Sequence, residues 1–160
     1  MSALSKIVRK GAYHSLHPFL RIVRRLFAWN KESARVVLAY KNELLLVRNI
    51  GVQRWSFPGG TLDKGEAPEQ CALRELREEL LIDNAPITYK LGTYSSHTER
   101  GHGLVHVFVA AAQSLLYKRQ WEIDDARWFA LNDLPENLSP ATARRIGEYK
   151  NGLRDLSTFW

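Results

Sequence analysis

The stretch Gly60–Ile82, GTLDKGEAPEQCALRELREELLI, decides how the rest of the chain is read. It passes from a glycine-rich entry through a helix opener, Pro68 with Glu69, into Arg74-Glu75-Leu76-Arg77-Glu78-Glu79. A helical residue turns by about 100°, so residues three and four apart are surface neighbours. Glu75, Glu78 and Glu79 then share one edge of a helix predicted over 67–80. Leu73, Leu76 and Leu80 share another edge, suited to packing on a sheet. Three carboxylates this close repel one another, a local cost with no local return. A divalent cation removes that cost, and hard oxygen ligands select Mg²⁺, Mn²⁺ or Ca²⁺ over metals that prefer thiolate. The competing reading is a solvated acidic face, the ordinary fate of charged helix residues.

The flanking sequence reads as one mixed unit. Ala34–Tyr40 and Leu44–Arg48 are apolar runs separated by Lys41-Asn42-Glu43, a predicted hairpin. Arg54–Phe57 reads as a short strand leading into Pro58-Gly59-Gly60, where the backbone must turn tightly. Strands are predicted over 87–94, 104–112 and 127–130, and Ser139-Pro140 opens a helix to about residue 150. Strands with one central and one C-terminal helix imply a sheet covered on both faces.

A chain of 160 residues is long enough for one domain with a buried core. Cys71 is the single cysteine, which excludes an internal disulfide framework and fits a reducing compartment. Its place inside the central helix suits a small buried filler. No apolar run approaches the roughly 18 residues that span a bilayer. The first 30 residues lack an uninterrupted signal-peptide core, so the cytoplasm is the expected location.

The net charge of +6 is unevenly placed, because residues 1–31 carry seven lysines and arginines and no acid. The basicity belongs to an appendage, residues 1–32, rather than to the domain over 33–160, and nucleic acid is not an expected partner of the core. Residues 4–29 read as a basic amphipathic helical segment broken near Gly11 and Pro18. Three readings stand for it: docking on its own domain or on the partner subunit of a homodimer, contact with an anionic membrane surface, and a cleaved targeting peptide.

The central stretch resembles the Nudix box, G-x5-E-x7-R-E-U-x-E-E-x-G-U with U bulky and apolar. Gly60, Glu66, Arg74, Glu75, Leu76, Glu78, Glu79 and Ile82 stand in register, and Leu81 replaces the second glycine. The resemblance implies an α/β fold, the Nudix-type α/β/α sandwich with a mixed β-sheet. It implies Mg²⁺-dependent cleavage (Mn²⁺ as a substitute) of a diphosphate link in a nucleotide or in a nucleoside diphosphate joined to another group, a small-molecule substrate. By that analogy Glu75, Glu78 and Glu79 hold the metal, with Gly59 assigned beside them. The general base stays open among the glutamates, and Glu122 is a further candidate as ligand or base. Glu66 and Arg74 support the site's geometry. Arg54, Gly59, Gly60, His97, Glu99 and Arg100 are the expected substrate contacts, set against an ordinary solvated loop at 97–106. A histidine metal site from His97, His102 and His106 is a minor alternative.

Two rival functions keep the fold: an RNA 5′-end hydrolase using the basic N-terminus, and a non-catalytic nucleotide sensor. A glycine at the position of Leu81 usually ends a helix with positive φ, where leucine is strained. The helix is therefore expected to run on to Asn84.

Overall fold

The structure, a computed structural model, describes residues 32–98 and 101–160, without the side chains of residues 97, 98 and 101. The basic N-terminal segment and the expected substrate contacts Glu99 and Arg100 lie outside the described residues. Among the described residues the elements are β1 (Glu32–Tyr40), β2 (Glu43–Asn49), α1 (Pro68–Leu80), β3 (Ile87–Thr98), β4 (Gly101–Ala111), β5 (Ile123–Ala130), α2 (Pro140–Lys150) and β6 (Leu156–Phe159). They form a six-stranded sheet in the order β5-β2-β1-β4-β3-β6. The β1–β4 and β3–β6 pairs are parallel and the others antiparallel, so the sheet is mixed as expected.

Each face of the sheet buries its own cluster. Val36, Leu38, Leu45, Val47, Phe108 and Ala110 pack with Cys71, Ala72, Leu76 and Leu80 of α1. Val37, Leu44, Leu46, Val107 and Val109, the alternate residues of the same strands, pack with Ile146 of α2. The period of two along a strand thus divides one sheet between two helical layers. Each fully buried leucine contributes roughly 1.5–3 kcal/mol. Leu73, expected on the apolar edge of α1, is instead 36% exposed, and Ala72 takes the buried place. A small residue there lets the helix lie close to the strands.

The β1–β2 hairpin is paired only over Leu38–Tyr40 and Glu43–Leu45. Beyond that the strands part and the following loop fills the gap. Ser56 pairs with Val47, the Val36 N–H donates to the Pro58 carbonyl (3.0 Å), and the Ala34 N–H donates to the Gly60 carbonyl (2.9 Å). The expected strand at 54–57 is therefore reduced to isolated bridges at Trp55 and Ser56, because the loop bonds to two diverging strands in turn. Gly59 has φ +138°, and a Cβ there would strike the Ala34 carbonyl oxygen. Only glycine fits that approach.

Two helix ends test the local reading. Ser139 caps α2 as expected: its hydroxyl accepts from the Thr142 N–H at 3.1 Å, with Pro140 in the first turn. At the C-terminus of α1 the expected run to Asn84 does not occur. Leu81 itself adopts φ 54°, ψ 36° and closes the helix, its N–H donating to the Arg77 carbonyl at 3.0 Å. The tertiary course of the chain imposes the turn on a residue that disfavours it, and the side chain is 51% exposed. The β6 strand, beside β3, was not expected either: four residues with little apolar alternation give no signal. We expect Leu81→Gly to raise stability by roughly 0.5–1 kcal/mol, since relief of left-handed strain exceeds the added backbone entropy. Urea unfolding measures this, and a destabilised variant would show that the leucine side chain contributes more than its strain costs.

Candidate active site

The parted strands bring the glycine loop under the acidic edge of α1. There the Gly59 N–H donates to Glu79 Oε2 at 3.0 Å. A Cβ on Gly60 would overlap the carboxylate of Glu75, so the loop backbone and this side chain occupy adjoining space. Glu75 and Glu79 are 6% and 3% exposed, and Glu78 is partly buried. Buried carboxylates need partners, because desolvation of an unpaired charge costs far more than an ordinary contact returns.

Arg74 supplies much of that partnering. Its Nε donates to Glu66 Oε1 at 2.7 Å and its Nη2 to Glu66 Oε2 at 2.9 Å, a two-pronged carboxylate contact. Its Nη1 donates to Glu75 Oε1 (2.8 Å) and to Glu78 Oε2 (3.0 Å), and its Nη2 also reaches the Thr61 carbonyl at 3.1 Å. The ion-pair reach inferred from the four-residue spacing of Arg74 and Glu78 is thus realised. Glu66 in turn accepts from the Asp63 N–H at 2.8 Å, so one guanidinium links the loop to the helix.

Titration follows these contacts. Burial pushes the Glu66 carboxyl up, but the Arg74 hydrogen bonds, the Asp63 N–H and the Arg74 charge outweigh it and hold the group below its usual 4.5. Burial opposes the charge on Arg74, yet the Glu66 and Glu75 contacts more than compensate and raise its affinity for its proton. The Cys71 thiol is pushed up to about 12, chiefly by burial, and stays protonated as the expected inert filler.

Segment 118–122 frames the other side of α1. The Lys118 N–H donates to the Leu80 carbonyl at 2.9 Å and the Gln120 N–H to the Glu79 carbonyl at 2.8 Å. Glu122 follows immediately, its carbonyl accepting from the Ile50 N–H at 3.2 Å. The backbone therefore brings Glu122 to the same end of the sheet as Glu79. Arg54 stands exposed on the loop before Trp55. His97 lies on β3, opposite His102 in the register.

His106 is buried, its Nδ1 beside Thr93 Oγ1 (3.1 Å) and its Nε2 beside Glu32 Oε2 (3.1 Å). Both ring nitrogens are thereby engaged in a polar contact between strands. Among the described residues no three Asp, Glu, His or Cys side chains are already gathered around a space for a metal ion: Glu75 and Glu78 turn an oxygen each to Arg74, and Glu79 turns one to the Gly59 N–H. Asn49, which the sequence did not single out, also belongs to this neighbourhood: it ends β2 beside Ile50, and its Oδ1 is buried without a hydrogen-bond partner among the described residues. A polar residue closing an apolar strand run was the only sequence signal for it.

A helix whose acidic edge meets a glycine loop across a mixed sandwich defines a class, and comparison with known proteins agrees. The family model described as NUDIX domain matches residues 29–149. The chain belongs to the Nudix family and is a Nudix hydrolase. It is 30% identical over 125 residues to a Bacillus subtilis (strain 168) protein named "Putative 8-oxo-dGTP diphosphatase", covering 76% of this chain and 80% of that one. It is 35% identical over 103 residues to the NAD-capped RNA hydrolase NudC of Stutzerimonas stutzeri (strain A1501), but spans only 36% of that protein and 62% of its own length. A Nudix hydrolase structure from Nitrosomonas europaea superposes with a TM-score of 0.68 at 20% identity, over 82% of this chain and 78% of that one, which shows the shared fold.

The depressed Glu66 titration carries a pH signature. The ionised form is favoured in the folded state, so its stabilisation is present above about pH 4.5 and is lost as pH falls through the lower folded value. Glu66→Gln is expected to lower stability at pH 7 and to flatten the fall in stability below pH 4.5. Denaturant titrations at a series of pH values measure both, and parallel profiles for the two proteins would remove Glu66 from the linkage.

Proposed function

We propose that this protein is a divalent-cation-dependent pyrophosphohydrolase that cleaves the diphosphate link of a nucleotide or of a nucleoside diphosphate joined to another group. The observation that supports it most is the Gly59–Glu79 contact beside the Arg74 network, which gathers the acidic edge of α1 at the glycine loop. The donor set suits Mg²⁺ or Mn²⁺: Glu75, Glu78 and Glu79 offer hard oxygens on one helix edge, and Gly60 leaves space for the Glu75 carboxylate that a Cβ would fill. These three residues would hold the cation, which when bound neutralises diphosphate charge and lowers the pKa of a coordinated water.

The chain's own groups have distinct tasks. The Gly59 N–H fixes one Glu79 oxygen, and Arg74 fixes one oxygen each of Glu75 and Glu78. Glu66 sets Arg74 in turn, so that its bound direction survives the entry of a charged substrate. The proton released by the attacking water passes to a carboxylate of this group or to Glu122. Arg54, Gly59, Gly60, His97, Glu99 and Arg100 remain the proposed substrate contacts. A nucleotide substrate is supported by the activities for which the Bacillus subtilis and Stutzerimonas stutzeri relatives are named. The protein is proposed to act in the cytoplasm; among the described residues no helix is long and apolar enough to cross a membrane. Residues 1–31 are proposed to dock on the domain or a second subunit, with liposome co-sedimentation as the check.

Glu79→Gln is expected to lower kcat by at least about 100-fold, since loss of one ligand disturbs charge neutralisation and water activation together. Phosphate release across nucleoside triphosphates, nucleotide sugars, ADP-ribose and dinucleotides with Mg²⁺ or Mn²⁺ measures this, and a near-normal rate would exclude these carboxylates from the reaction.

The similarity to an NAD-capped RNA hydrolase favours a second reading, hydrolysis at an RNA 5′ end. That reading predicts activity on capped RNA that falls steeply with salt and collapses on deletion of residues 1–31. Activity on RNA that is unchanged by both would rule out the basic segment as the RNA-holding element.

A further inference from the structure

Asn49 ends β2 on the same face as the acidic edge of α1. Along that strand Leu45 and Val47 pack against α1 while Leu44 and Leu46 pack on the opposite layer. Alternation puts Asn49 with the first pair, as does its register partner Ile123, which also packs on the α1 side. The β2–β5 ladder shifts register between Arg48 and Asn49, an irregularity of the kind that bends a strand end and redirects a side chain.

Two backbone segments enclose this position. On one side Ser56 bridges to Val47 and leads to Gly59, whose N–H holds Glu79. On the other, the Ile50 N–H bonds the Glu122 carbonyl and the Gln120 N–H bonds the Glu79 carbonyl. Asn49 therefore sits between the two strips of chain that hold Glu79 in place. Its Oδ1 is buried and has no hydrogen-bond donor among the described residues. A buried acceptor without a donor is destabilising, and ionised carboxylates nearby are acceptors themselves. Among the described residues no group supplies the missing donor, which leaves the position open to one brought by a bound species.

We propose that Asn49 is a positioning residue for a hydrated divalent cation, its Oδ1 accepting a hydrogen bond from a water that the cation carries into the site. This rests on the cation-dependent reading of the same carboxylates. Mg²⁺ keeps several of its waters when bound by one or two carboxylates, and each such water donates outward. An amide oxygen is a suitable recipient because it accepts without adding charge to a crowded acidic site.

The test reads cation binding rather than turnover. Mn²⁺ is titrated calorimetrically into wild type, Asn49→Leu, Asn49→Asp and Glu79→Gln, all without nucleotide, and thermal unfolding is recorded with and without Mg²⁺. Asn49→Leu should bind Mn²⁺ about 10-fold more weakly, the lower end of the effect expected when a group that orients metal-bound ligands is removed. Its cation-free form should unfold at or above the wild-type temperature, because an unmet acceptor has been replaced by an apolar group. If the leucine variant fails to fold, Asn49→Asp carries the test and should bind Mn²⁺ more tightly than wild type. Wild-type Mn²⁺ affinity in Asn49→Leu beside weakened binding in Glu79→Gln overturns the proposal and leaves the hydrolase reading standing. Unchanged cation affinity in Asn49→Leu with a raised KM for nucleotide places the donor on the substrate and also overturns it. Absence of saturable Mn²⁺ binding in wild type overturns both.

Discussion

The contact on which the rest of the structure depends is that of one guanidinium with three carboxylates. Arg74 meets Glu66, Glu75 and Glu78 at 2.7 to 3.0 Å and also a backbone carbonyl of the entry loop. Without it the acidic edge of α1 would combine desolvation with self-repulsion. With it the edge can lie partly buried against the loop. Arginine fits the task better than lysine because its planar fork can serve several oxygens from a fixed position.

The pattern of sequence that spelled out the site was helical periodicity combined with residue chemistry. The spacing of Glu75, Glu78 and Glu79, the i,i+4 relation of Arg74 to Glu78, and the Ser139-Pro140 cap are local facts, and the structure reproduces the ion pair and the cap. The order of strands with one central and one C-terminal helix was also enough to imply a sheet covered on both faces. Burial of Cys71 followed from its place in the helix.

What escaped the sequence depends on contacts between distant segments. Arg54–Phe57 has the composition of a strand, yet Trp55 bridges to Leu138 in a loop and Ser56 to Val47 of β2, so it forms only isolated bridges. Leu81 takes a left-handed conformation because the chain must turn there to reach Ala85 and β3, whatever the residue prefers. Leu73 and Ala72 differ by one helical step, and only the position of the sheet decides which is buried. His106 could have been a ligand by residue type; its strand neighbours Thr93 and Glu32 make it a buried polar contact. Asn49 stood out only when its unmet oxygen was seen.

The gap between β1 and β2 has a consequence for how such a scaffold diversifies. Because the glycine loop is stitched by backbone bonds into the middle of the sheet, lengthening or reshaping it would unpick the ladder on either side. Variation is cheaper at the rims, where Ile50–Arg54 and residues 113–116 stand exposed to solvent. An engineer seeking altered ligand preference should therefore randomise those rims and leave the stitched loop alone.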